Sequence, residues 1–301
     1  MTNKTIHAQA ADALRAFPET RRLTWRYALF VAGINLIVLL AQVIVYLLTP
    51  ATGSLSTMNT MAILDTVQQA VALFAMILLP FLSLGQLSVT LRTARAQTSS
   101  SGNLWDGLRL FGPILRFCLL VVLLVFLVVP FATTIGSAAL MYLPGGKETV
   151  TTLQTIAETP DMVPDTQQSF QLMLSLWPVY AVMLIIFLPI SYRLRMAIFL
   201  ILDGEKKALR AILHSNLMMR RNGWQLFFLD LRQWVYLLAA CVPLVLSYGN
   251  MMLGITAPWG SWLFSGLSIL ADTLVIGVFL HRVNTRYAFF YLSKLPADSI
   301  C

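Results

Sequence analysis

Charge is scarce in this sequence. Of its 301 residues 11% are Asp, Glu, Lys or Arg and 58% are hydrophobic, where a water-soluble domain carries about 25% charged residues. So little charge leaves too little polar surface to cover a globule in water, and the solvent that remains is lipid. Cysteine is scarce too: Cys118 and Cys241 sit in apolar runs and Cys301 is the last residue. That spacing offers neither a disulfide framework nor a metal knuckle, and Cys301 lacks the three following residues that prenylation needs. The three histidines, His7, His214 and His281, are dispersed and are expected to be solvated or at the lipid edge. His-Glu-x-x-His, Cys-x-x-Cys, Gly-x-Ser-x-Gly and P-loop patterns are missing, and Gly145-Gly146-Lys147 lacks the upstream glycine of a P-loop. The expectation is a protein that is not an enzyme, with no catalytic residue, no metal and no cofactor.

What the chain does have is long apolar runs. About 20 apolar residues in a helix cross a bilayer, and helices satisfy their own backbone there. Six spans are expected, near 27–48, 66–91, 117–142, 171–192, 233–252 and 261–283, the last two separated at Gly254, Pro258 and Gly260. The polar start lacks the pattern of a cleaved secretory signal, so the first run is expected to stay as a span. The fold class is an all-α polytopic bundle, one integral membrane domain over 1–301.

Basic residues orient it. Twenty of the 21 Lys and Arg fall before span one, between spans two and three, between spans four and five, or after span six. Only Lys147 lies on the other side, beside Glu148, Glu158, Asp161 and Asp165. Lys and Arg mark the cytoplasmic side, so both termini are expected in the cytoplasm of a bacterial cytoplasmic membrane. The net charge of +8 reads as orientation, not as a nucleic-acid footprint. Trp25, Tyr27, Trp105, Tyr142, Tyr192, Trp224, Trp234, Tyr248, Trp259 and Trp262 cluster at span ends as interfacial aromatics do. Each hairpin has a Trp before its first span and two arginines after its second, which reads either as a triplicated unit or as what any hairpin acquires.

Two features bear on function. In the cytoplasmic segment 203–221, Asp203 is placed to cap a helix whose Leu209, Ile212, Leu213 and Leu217 form one stripe. Lys206, Lys207, Arg210, Arg220 and Arg221 lie off that stripe. Such a basic amphipathic helix lies in the membrane interface; it would recognise anionic lipid or another membrane protein, or serve only as a connector. The second feature is Asp272, near the middle of span six and on one face with Ser261, Ser265 and Ser268. A mid-span Asp costs about 2.5–3.5 kcal/mol to insert, so that face must point inward. Asn35, Gln42, Thr133 and Thr134 are partners by type. The site is either a proton or cation pathway or a helix-joining hydrogen bond. Asp65 and Asp230 suit interfacial structural roles, and Pro80, Pro130, Pro178, Pro189 and Pro243 fall inside spans.

The stretch Tyr192-Arg-Leu-Arg-Met-Ala, then Leu202-Asp203-Gly204, then Ala208-Leu209 to Ser215-Asn216-Leu217-Met218, then Gly223-Trp224 to Asp230-Leu231 resembles a bacterial family catalogued as domain of unknown function 975. The resemblance covers roughly 192–234. It implies an uncharacterised multi-pass membrane protein, and a shared structural element holding Asp203, Trp224 and Asp230. Taken together, the expected role is an accessory or scaffold engaging membrane lipids or other membrane proteins; the alternative is a small transporter with Asp272 in its pathway.

Overall fold

The computed structural model describes residues 2–48, 55–158, 171–172, 174–253, 255 and 258–295, with backbone alone at 48, 55–65, 67–68, 156–158, 250–251 and 258. Asp161, Asp165, Cys301 and the Asp65 side chain lie outside the described residues, as do parts of the loops expected on the non-basic side.

All the regular structure among the described residues is helical. The helices are α1 (Asn3–Ala16), α2 (Glu19–Leu48), α3 (Leu55–Ala94), a 3-10 turn (Ser101–Trp105), α4 (Asp106–Arg109), α5 (Phe111–Met141), α6 (Gly146–Glu158), α7 (Trp177–Leu202), α8 (Ala208–Met219), α9 (Gly223–Leu231), α10 (Trp234–Ser247), α11 (Gly249–Met252), α12 (Pro258–Val275), a π-helical segment (Ile276–Leu280) and α13 (His281–Leu292). Five helices are long and apolar enough to cross a membrane: α2, α3, α5, α7 and the run through α12, the π segment and α13. The pair α9 and α10, bent by 72°, makes a sixth if read as one broken span.

Burial confirms the solvent. Phe126 is 77% exposed and Met76 75%, while Gln86, Thr20, Thr24 and Thr285 are fully buried. A water-soluble chain does the reverse. Apolar side chains this open, over several helices, have lipid as their environment. The chain is an integral membrane protein.

Its contacts divide it into two units. Unit one takes Met1–Phe111, Trp224–Ser247 and Pro258–Cys301. Within it α2 packs on α3 and α12, α12 on α10, and α13 on α1 and α3. Its apolar centre is Tyr27, Val31 and Leu82, ringed by Ile34, Leu78, Leu79, Leu104, Ile276 and Leu280. Two glycines let backbones touch. A Cβ on Gly85 would sit 1.8 Å from the Leu104 carbonyl oxygen, and one on Gly107 2.0 Å from that of Phe81, so the 3-10 turn and α4 fold directly onto α3.

Unit two takes Gly112–Gly223 and Tyr248–Ala257. Within it α8 packs against α7, and Gly136 of α5 meets the Val179 backbone of α7. The long helix of span four starts at Trp177, after a turn at Leu176 that follows helical residues at 171–172 and 174–175. Pro178 lies in the first turn of α7, where its missing N–H costs nothing, and so marks a helix start rather than a mid-span kink. Pro80, Pro130, Pro189 and Pro243 are inside helices.

Candidate functional site

The basic segment of unit two begins with a stop. Gly204 has φ +105°; its N–H bonds the Ile201 carbonyl at 3.1 Å, and the Glu205 N–H bonds that of Leu200 at 3.1 Å. This pair of bonds is a Schellman closure. Asp203 therefore ends α7 and does not cap the next helix. The next helix starts after Lys207, whose N–H bonds the Glu205 carboxylate at 3.1 Å. The expected helix over 203–221 is thus α8, Ala208–Met219, flanked by turns.

The face of α8 that meets the protein is not its leucine stripe. Ala208, Ala211, Ser215 and Met219 are buried, a narrow small-residue face that lets α8 lie close along α7. Ser215 Oγ donates to the Arg193 carbonyl of α7. Leu209, Leu213 and Leu217 are 60%, 55% and 67% exposed. Ile212 is half-buried, and Lys206, Lys207, Arg210, Arg220 and Arg221 are all exposed. The segment thus presents leucines and cations outward together.

Asp272 lies in unit one, half-buried on α12. Its carboxyl is within electrostatic reach of the Tyr27 hydroxyl, which Tyr236 also influences. Tyr27 comes from α2 and Tyr236 from α10, each of which packs on α12; of the two, Tyr27 is the one within reach of Asp272. Tyr27 is not among the partners offered by residue type, because it reads as an interfacial aromatic. Thr133 and Thr134 instead donate to the Pro130 carbonyl of their own helix, at 2.9 and 2.8 Å. Ser268 Oγ donates to the Pro243 carbonyl of α10 at 2.8 Å, so this member of the serine face joins helices; Ser265 on the same face is half-buried. One turn beyond Asp272 the helix widens into the π segment, where Gly277 faces the Trp25 ring. A Cβ there would lie 2.6 Å from the indole carbons.

The basic end of unit one holds Asp106, Gln86, Thr20 and Thr93, which the sequence did not single out, and Asp230 and Trp224, which it did. Asp106 is buried. It accepts from Ser88 Oγ at 2.9 Å and Asn103 Nδ2 at 3.1 Å, and it pairs with Arg92 at 3.6 Å and Arg109 at 3.4 Å. Gln86 donates to Thr24 Oγ1 at 3.4 Å and accepts from Asn284. Thr20 and Thr93 share a hydrogen bond of 2.6 Å. Asp230 of α9 is buried and accepts from the Tyr287 hydroxyl of α13, while Trp224, at the start of α9, is 74% exposed beside Phe227.

Among the described residues no group of three or more His, Cys, Asp or Glu is placed to hold a metal ion. No family model, curated protein or solved structure matches the chain.

The histidines depart from expectation. His281 is 4% exposed, and its Nδ1 has no well-aligned hydrogen-bond partner. His7 Nε2 is likewise buried without a partner. His7 is held down to about 4, first by burial and then by the nearby Arg286 and Arg232 guanidinium groups. His214 is exposed on α8.

Proposed function

We propose that this membrane protein is a non-enzymatic accessory that engages the anionic inner leaflet through α8. The observation that carries the reading is the outward pairing of Leu209, Leu213 and Leu217 with exposed Lys206, Lys207, Arg210, Arg220 and Arg221. An apolar stripe with a cationic fringe matches the boundary between acyl chains and anionic headgroups. Each Lys or Arg near an anionic leaflet contributes about 1 kcal/mol. On this reading the termini and α8 face the cytoplasm, as twenty of 21 basic residues suggest, in a bacterial cytoplasmic membrane. Another membrane protein with an acidic rim is the other partner that this face fits. The resemblance of 192–234 to the family named above belongs to the same proposal.

A site-specific probe tests it. An environment-sensitive dye is placed at Leu213→Cys in a chain with Cys118, Cys241 and Cys301 changed to Ser. In nanodiscs containing anionic lipid its emission should shift to the blue and be quenched by a lipid-borne quencher. Gln at the five cationic positions should reverse much of the shift. A dye that reports water in every lipid composition sinks the proposal.

A second reading has its own observation. Asp272 is half-buried on α12 within electrostatic reach of Tyr27 of α2, beside a π segment, and such segments are frequent at functional sites. This arrangement fits a proton or cation pathway through unit one. Asp272→Asn in proteoliposomes should abolish proton-coupled or cation-coupled flux while leaving folding intact. Unchanged flux, or simple loss of the folded protein, would assign Asp272 to helix joining.

A further inference from the structure

A groove of about 500 Å³ opens in unit one between α1, the start of α2 and α13. One face of α1 contributes His7, Ala10, Ala11, Leu14 and Arg15; Pro18 and Arg21 close one end; His281, Arg282 and Arg286 form the opposite wall. The helical spacing of 7, 10, 11, 14 and 15 puts those residues side by side, and the two alanines leave the space unfilled.

The charge in this groove is one-sided. Four arginines line it, and the acid that approaches any of them is Asp12, 3.8 Å from Arg15 with both side chains largely exposed. Among the described residues, Arg21, Arg282 and Arg286 have no ion-pair or hydrogen-bond partner. Arg286 is half-buried, where a guanidinium is costly unless paired. His281 lines the same wall, almost wholly buried, its ring leaning on the Gly277 backbone one turn back, and across from it the buried His7 Nε2 has no partner. Its ring feels Arg282 and Arg21. Arg15, Arg21 and Arg282 are exposed at the mouth and Arg286 is half-buried; four like charges around one open space suit an anion, which charge-assisted hydrogen bonds would hold.

We propose that this groove binds a phosphate-bearing anion, held by Arg21, Arg282 and Arg286 with the His281 ring at its floor. Guanidinium groups match phosphate oxygens two at a time. The volume falls in the range of small-molecule sites, about 300–1,000 Å³, so it admits a phosphate ester rather than bare phosphate alone. The ester is either a soluble one or the headgroup of a lipid. The inference is independent of α8, which belongs to the other unit.

The test uses the full chain in uncharged detergent at fixed ionic strength, reading the thermal unfolding midpoint. Inorganic phosphate and, separately, short-chain phosphatidic acid are titrated. A rise with inorganic phosphate identifies a soluble phosphate ester as the natural source; a rise only with phosphatidic acid identifies a lipid headgroup. In either case Arg282→Gln with Arg286→Gln should weaken the response about ten-fold or more. Arg21→Gln alone serves as the milder variant if the double one does not fold. Gln at Lys206, Lys207, Arg210, Arg220 and Arg221 should leave the response intact. If neither probe raises the wild-type midpoint, or if the groove variants respond like wild type, the proposal is overturned.

Discussion

The Tyr287 hydroxyl donates to the Asp230 carboxylate, and that bond links α13 to the short helix before the 72° bend. Both residues are buried. Around it the ends of three helices converge, since Asn3 of α1 donates to the Gln225 carbonyl at 3.1 Å and Lys294 to the Gln225 side chain at 2.8 Å. Asp230 is therefore an anchor that ties the helix before the bend to α13.

Tyr287→Phe keeps the ring and removes the donor. The buried carboxylate then loses a hydrogen bond, at a cost of about 1–3 kcal/mol. The expected outcome is a lower unfolding midpoint in detergent, with Asp230→Asn recovering part of it in the double variant. Equal stability of wild type and Tyr287→Phe would remove the anchoring role.

Gly277 is set by Trp25. Gly277→Ala places a Cβ 2.6 Å from the indole ring, so ring or helix must move, and overpacking of this kind costs about 1–3 kcal/mol. Trp25 fluorescence should shift in emission maximum, and Trp25→Leu should relieve the destabilisation. An additive double variant would show that the two do not meet.

Ala96 closes α3 with φ +56°. The Gln97 N–H bonds the Arg92 carbonyl at 2.9 Å and the Ala96 N–H that of Thr93 at 3.1 Å. That is the glycine position of a Schellman closure filled by a residue that strains there. Ala96→Gly should stabilise the chain by up to about 1 kcal/mol, the strain relief exceeding the added freedom of the unfolded chain. Chemical unfolding checks the sign.

His7 makes stability depend on acid. Burial, Arg286 and Arg232 lower its folded pKa to about 4, from about 6.5 unfolded. The unfolded state binds the proton first, so this contribution is full above pH 6.5 and is lost as pH falls toward 4. His7→Gln should reduce the drop in unfolding midpoint between pH 7 and pH 4.5. The same drop in both proteins would count against the assignment.

The spans were legible because lipid imposes a one-dimensional rule: some twenty apolar residues in a row. Trp177–Leu202 shows its limit, since the rule does not foresee the turn at Leu176 just before that helix. Asp203 was misread because capping chemistry and helix-stop chemistry use the same small polar and glycine residues, and Gly204 decided for the stop. The leucines of α8 were visible as a stripe, but its packing face was not, because Ala208, Ala211 and Ser215 carry no periodic hydrophobic signal. The groove was hidden more deeply. Arg15, Arg21, Arg282 and Arg286 had already served to orient the chain, and nothing local announces that α1 and α13 stand together. Asp106 was silent for the same reason, its partner Ser88 lying 18 residues away across a turn.

Unit one is written at both ends of the chain, with unit two between, and that order has a consequence for biogenesis. Gln86 leaves the ribosome 198 residues before Asn284, which donates to it. At about 5–20 residues per second the delay is roughly 10–40 s. For that interval the first two spans sit in the membrane with the Gln86 side-chain oxygen still waiting for its donor, a window in which a chaperone or insertase would find it. The last helix to be made is the one that releases it.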